Sequence, residues 1–66
     1  MTVTVNGRAM KLPDGGDVAA LVAELTDARR GVAVAVNGEV VPRSAWAGTG
    51  LTEGDQVEVL TAAQGG

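Results

Sequence analysis

Cysteine and histidine are both absent from this chain, and their absence closes most routes by which so small a protein could catalyse a reaction. No disulfide can brace the fold, no zinc site of Cys or His ligands can form, and no thiol or imidazole is available as nucleophile or general base. Aromatics are almost as scarce: Trp46 stands alone, which leaves no platform on which bases could stack. Lys and Arg number 5 against 8 Asp and Glu, a formal net charge of −3, with Arg29-Arg30 the one basic pair. Nucleic acid, whose phosphates need a basic face, is therefore not an expected partner. No stretch approaches the length of a membrane span or a secretory signal. The expectation is a cytoplasmic protein without membrane contact, whose acidic body suits a basic protein surface. Carboxylates, Lys11, hydroxyls and arginines show no convergent spacing, so the chain is expected not to be an enzyme and to hold no cofactor of its own.

The 66 residues make a single domain, 1–66, and a chain of that length buries only about 60% of its unfolded surface. Thr2-Val3-Thr4-Val5-Asn6 alternates polar and apolar residues, the pattern of a half-buried strand. Asn6-Gly7 supplies the left-handed backbone of a type I′ hairpin turn. A two-residue loop there sets Val5 opposite Arg8, Val3 opposite Met10 and Met1 opposite Leu12. Met1, Val3, Val5, Met10 and Leu12 then share one face, so turn chemistry and hydrophobic pattern agree. Pro13 ends the second strand, Asp14-Gly15-Gly16 turns the chain, and Asp17 is placed as a helix N-cap. Val18, Leu21, Val22 and Leu25 follow at helical spacing as an apolar stripe. Arg29 and Arg30 are expected to compensate the negative end of that helix, with Gly31 at its C′ position.

Val32-Ala33-Val34-Ala35-Val36 is apolar throughout, as expected of a strand covered on both faces. Asn37-Gly38 repeats the hairpin signal and returns the chain into Glu39-Val40-Val41. Pro42 closes that strand and opens a helical turn over residues 43–46, with Trp46 packed over an open edge of the core. Gly48-Thr49-Gly50 reads as loose linker, and residues 51–55 as a turn anchored by Leu51. In the last strand, residues 56–61, Val57, Val59 and Thr61 share one face, leaving Gln56, Glu58 and Leu60 on the other. Leu60 is then an exposed leucine just before the chain's final stretch, a candidate interface residue with Glu58 and Ala63.

That stretch ends in Gly65-Gly66. Without Cβ atoms, consecutive glycines can enter a slot too narrow for other residues, so the terminus reads as a slender carboxylate probe. The order hairpin, helix, strand, hairpin partner, helical turn, final strand gives an α+β chain of β-grasp, ubiquitin-like type. The expected sheet is mixed and four- to five-stranded, one main helix packs on one face, and residues 62–66 form a flexible tail.

The run from Val32 through Asn37-Gly38-Glu39-Val40-Val41-Pro42-Arg43, then Trp46, Leu51, Gly54-Asp55-Gln56-Val57-Glu58-Val59 and Gly65-Gly66, resembles the ThiS family of thiamine-biosynthesis sulfur carriers. Val5-Asn6-Gly7 and the helix stripe extend the resemblance over essentially the whole chain; it departs at Ala63, where many relatives carry a larger aliphatic residue. The resemblance implies that Gly66 is adenylated by a ThiF-like adenylyltransferase and converted to a thiocarboxylate, with Gly65 and Gln64 inserted into the partner. It also implies sulfur from a persulfide of a cysteine desulfurase or rhodanese-type protein, delivery to a ThiG-like thiazole synthase, and ATP and magnesium that belong to the adenylyltransferase. A monomer is expected when free. A molybdopterin-synthase-type carrier shares the fold and the Gly-Gly end. A ubiquitin-like modifier would instead leave lysine-linked conjugates, and a plain β-grasp binding module would survive loss of Gly65-Gly66.

Overall fold

The computed structural model of the chain describes residues 1–28 and 30–62; Arg29 and residues 63–66 lie outside that range, and with them the expectations placed on Ala63, Gln64, Gly65 and Gly66. The described elements are β1 (Thr2–Val5), β2 (Arg8–Lys11), α1 (Val18–Leu25), β3 (Val32–Val36), β4 (Glu39–Val41), a 3₁₀ helix (Arg43–Gly48) and β5 (Gln56–Thr61). They form a five-stranded mixed sheet in the order β2-β1-β5-β3-β4. The last strand occupies its centre, parallel to β1 and antiparallel to β3. This is the expected β-grasp arrangement.

Both Asn-Gly turns adopt the predicted backbone. Asn6 and Asn37 each have φ near 50°, and Gly7 and Gly38 have φ of 84° and 86°, which is the type I′ hairpin geometry. The register follows: Val5 pairs with Arg8, Val3 with Met10, and Met1 and Leu12 exchange hydrogen bonds of 2.8 and 2.9 Å. Val3, Val5 and Leu12 are buried and Met1 and Met10 pack against them. The core is completed by Val18, Leu21 and Val22 of the helix, Val34, Val57 and Val59 of the sheet, and Trp46 and Leu51. Asp17 caps the helix as predicted, its carboxylate accepting from the Ala20 N–H at 2.8 Å.

The helix spans the apolar stripe, Val18–Leu25, and ends before the Arg-Arg-Gly segment where its end was expected. It stops at Leu25 because Thr26 is extended, at φ −157° and ψ 150°, and the Thr26 hydroxyl accepts from the Ala28 N–H at 3.0 Å. That local bond is the competition that Thr offers to helical pairing. Leu25 is therefore 43% exposed instead of buried. Neither Arg30 nor Gly31 lies at the helix end, so the C′ glycine and the part of the charge compensation expected of Arg30 are corrected, while the part expected of Arg29 lies outside the described residues; Gly31, at φ 76°, instead leads into β3.

Two further expectations change. β3 is covered on one face only: Val34 is buried while Ala33 is exposed, because α1, Trp46 and Leu51 all pack on the same side of the sheet. The Gly48-Thr49-Gly50 segment is not loose. Thr49 bonds Ala45 through its hydroxyl at 2.7 Å, and the main-chain bonds Val18 N–H to Thr49 O (3.0 Å) and Leu51 N–H to Gly16 O (3.0 Å) tie it to the helix start. Trp46 is a core residue, 6% exposed, its indole N–H donating to Val41 O at 2.9 Å. The Arg43 guanidinium lies 5.2 Å from its ring centroid, which sets a cation against the ring.

Asp55 organises the turn into β5. Its carboxylate accepts from the Thr52 N–H at 2.9 Å, from Asn37 Nδ2 at 3.1 Å and from the Thr52 hydroxyl at 3.1 Å. The backbone bond from Thr52, then the Asn37 amide, hold its carboxyl below the ordinary value of 3.8. A carboxyl whose folded pKa is depressed adds stability that is complete above its unfolded pKa and is lost as the pH falls through the folded one. Stability should therefore fall with acid below about pH 4, and Asp55→Ala should flatten that fall. Denaturant melts of both proteins from about pH 5 to about pH 2 measure it; identical slopes would remove Asp55 from the acid response.

Candidate functional site: the end of the central strand and the open sheet face

β5 carries the chain toward the Gly-Gly terminus, and it is held from both sides along its length. Against β1, the Asn6 N–H donates to Val57 O at 2.9 Å, after which the β1 backbone turns away. The Asn6 side chain then takes over: its Oδ1 accepts from the Val59 N–H at 2.9 Å and its Nδ2 donates to Val59 O at 3.0 Å. One carboxamide thus supplies a donor and an acceptor where the neighbouring strand has ended. Asn37 serves the start of β5 similarly, accepting from the Gln56 N–H at 3.0 Å. Against β3 the pairing continues from Val36 opposite Val57 to Val32 opposite Thr61. One more bond follows, from the Ala62 N–H to Gly31 O at 2.6 Å, one residue into the expected tail.

Alternation along β5 decides which side chains face out. Val57 and Val59 are buried, whereas Gln56, Glu58, Leu60 and Thr61 are exposed. Leu60 is 69% exposed, as the sequence predicts. The register sets Ala33 opposite Leu60 and Ala35 opposite both Glu58 and Val40. Val40 is 77% exposed. Leu60, Val40, Ala33, Ala35 and Glu58 therefore line one shallow groove on the uncovered face, apolar apart from a single carboxylate.

The structure brings together two of the predicted interface residues, Leu60 and Glu58; Ala63 and the three tail residues lie outside the described range. Sequence reasoning missed Val40 and the two alanines. The signal was present, because a two-residue Asn37-Gly38 loop sets Ala35 opposite Val40 and so places Val40 on the outer face. The all-apolar composition of residues 32–36 hid it by implying cover on both sides. Among the described residues no cluster of three potential metal-ligating side chains occurs, and no helix is long and apolar enough to cross a membrane.

Comparison with known proteins gives one consistent family. The family model described as the ThiS family matches residues 3–66. The chain is 33% identical over 66 residues to the sulfur carrier protein ThiS of Escherichia coli (strain K12), covering 100% of both chains. It is also similar to a crystal structure of the thiamine biosynthesis protein ThiS from Geobacter metallireducens, with a TM-score of 0.80, 36% identity and full coverage of both chains. A solution structure of a thiamine biosynthesis protein from the same organism gives a TM-score of 0.83 at 36% identity, with 100% of this chain and 88% of that chain covered.

Proposed function

Because the chain belongs to the ThiS family, we propose that it is a sulfur carrier of thiamine biosynthesis whose reactive group is the carboxylate of Gly66. The observation that carries this reading is full-length similarity to a sulfur carrier protein, joined to a chain in which Cys and His are absent. A carrier needs neither acid nor base of its own; it needs a terminus that others can modify. The Gly66 carboxylate, ionised at neutral pH, is a poor electrophile. An adenylyltransferase joins it to the α-phosphate of ATP with release of pyrophosphate, giving an acyl-adenylate. The outer sulfur of a protein persulfide then displaces AMP, and thiol cleavage of the remaining S–S bond leaves a thiocarboxylate, which thiazole synthase accepts as its sulfur source. ATP and magnesium belong to the adenylyltransferase. Gly65 contributes slimness, since a Cβ there would widen the chain just behind the reacting carbon.

The open sheet face is the docking surface in this scheme. It adjoins the end of β5, and its exposed Leu60 and Val40 offer apolar area that a partner can cover, each worth about 1.5–3 kcal/mol when fully buried. Glu58 sits among them and is suited to a basic group on the partner. Leu60→Glu should weaken binding to the adenylyltransferase by at least about tenfold, since 1.4 kcal/mol corresponds to that factor, with no fall in melting temperature because Leu60 lies outside the core. Titration calorimetry of the two proteins checks it; unchanged affinity would move the docking surface elsewhere. The function itself is tested by pyrophosphate release: the adenylyltransferase with ATP should release pyrophosphate in proportion to the carrier added. No release from an enzyme that activates its own carrier would overturn the reading.

A further inference from the structure

The contact at the base of the terminal stretch joins residues 31 positions apart in the chain, and it has two independent parts. The Ala62 N–H donates to Gly31 O at 2.6 Å, one step beyond the Val32–Thr61 pair that ends the β3–β5 ladder. Gly31 also has φ 76°, and a Cβ built on it would stand 3.0 Å from the Ala62 Cβ and 3.8 Å from the Ala62 N. A residue other than glycine would thus resist the left-handed backbone that aims the carbonyl at Ala62, and its side chain would press on Ala62 itself. The other positive-φ glycines at 7, 15, 38 and 54 have open space where a Cβ would go. Gly31 alone among them combines the turn with a close approach.

We infer that Gly31 is a positioning residue for the reactive terminus: by pinning Ala62 it fixes a point on the body four residues before Gly66. The inference rests on the proposed role of Gly66. Residues 63–66 can span at most about 14 Å when fully extended, so the acyl-activating centre of the partner must lie within that distance of Ala62 while the Leu60 face is docked. Both are referred to the same strand, because Leu60 lies near the end of β5 and Ala62 directly follows it. Releasing Ala62 removes the fixed point four residues before Gly66 and lets the carboxylate range over a larger volume relative to the docked face. Its effective concentration at the reacting centre falls, while the docking face is untouched.

The test uses Gly31→Ala and Gly31→Asn, the second because asparagine accepts a left-handed φ more readily and keeps the fold if alanine does not. Amide exchange by NMR reads the latch directly. The Ala62 amide should be protected in the parent protein and lose at least about tenfold of that protection in the variants, while Val34 and Val59 amides stay as they were. With the adenylyltransferase, the variants should bind as tightly as the parent but be adenylated about tenfold more slowly at saturation, as a misplaced reacting group requires. Adding Ala62→Gly to Gly31→Asn, which removes the crowding Cβ, should restore part of the Ala62 protection. An Ala62 amide that exchanges freely in the parent would overturn the inference, as would a variant that loses protection yet is adenylated at the parent rate. A protected Ala62 in a parent that is not adenylated at all would instead remove the role of Gly66, and the positioning role with it, leaving the latch as a structural contact.

Discussion

Deletion of Gly66 should abolish adenylation, with a loss of at least about 100-fold, and leave the melting temperature unchanged. The deletion withdraws the carboxylate by one residue, about 3.5 Å along an extended chain, and a misplacement of even about 1 Å at a reacting centre can cost about 100-fold. Gly65→Val should act as strongly by a different route, placing a β-branched side chain directly behind the carboxyl carbon that the proposed activation engages. Stability is unaffected because the core is built from residues 3 to 59 and the last described main-chain bond is made at Ala62. Pyrophosphate release together with a thermal melt of each variant checks both halves. A variant adenylated at the parent rate would mean that the terminus is not the reacting group, and one that unfolds would mean that the terminus belongs to the core.

Leu21→Ala should cost about 2–5 kcal/mol, the range for removing a fully buried leucine. Leu21 is 0% exposed beneath the sheet, with Val18 and Val22 beside it in the same core. A chain of this length has only about 3–10 kcal/mol of total stability, so the variant should be partly or largely unfolded at physiological temperature. Leu25→Ala is the control. At 43% exposure Leu25 has little to lose, and its truncation should cost less than about 1.5 kcal/mol. Urea melts monitored by Trp46 fluorescence measure both. Equal losses at the two positions would contradict the helix end at Thr26, and a negligible loss at Leu21 would contradict the packing of the helix on the sheet.

The contrast between those leucines shows where the sequence was legible. Strand pairing within each hairpin could be read because Asn6-Gly7 and Asn37-Gly38 specify a turn whose length dictates register, and in the first hairpin the apolar residues then fall on one face without further information. The Asp17 cap was legible for the same local reason. The helix end was not, because Arg29-Arg30-Gly31 offers cations and a glycine that suit a helix terminus, while the stop depends on Thr26 preferring its own hydroxyl bond to Ala28. Single-sided cover of β3 was hidden because alanine is equally at home inside and outside a protein. The contacts that hold the end of β5 were out of reach altogether: Asn6 meets Val59 across 53 positions, and Gly31 meets Ala62 only once the sheet has closed. Each needs the order β1-β5-β3, which no local pattern carries. Of the site itself, Leu60 and Glu58 were readable from alternation in one strand, whereas Val40 required the register of a neighbouring hairpin.

The most direct measurement is the intact mass of the protein after incubation with ATP, magnesium, a persulfide donor and an adenylyltransferase shown to be active, followed by fragmentation to locate any change. The prediction is a gain equal to the replacement of one oxygen by one sulfur, confined to Gly66 and absent when ATP is withheld. A terminus that remains an unmodified carboxylate under those conditions, or a sulfur found anywhere else in the chain, would contradict it.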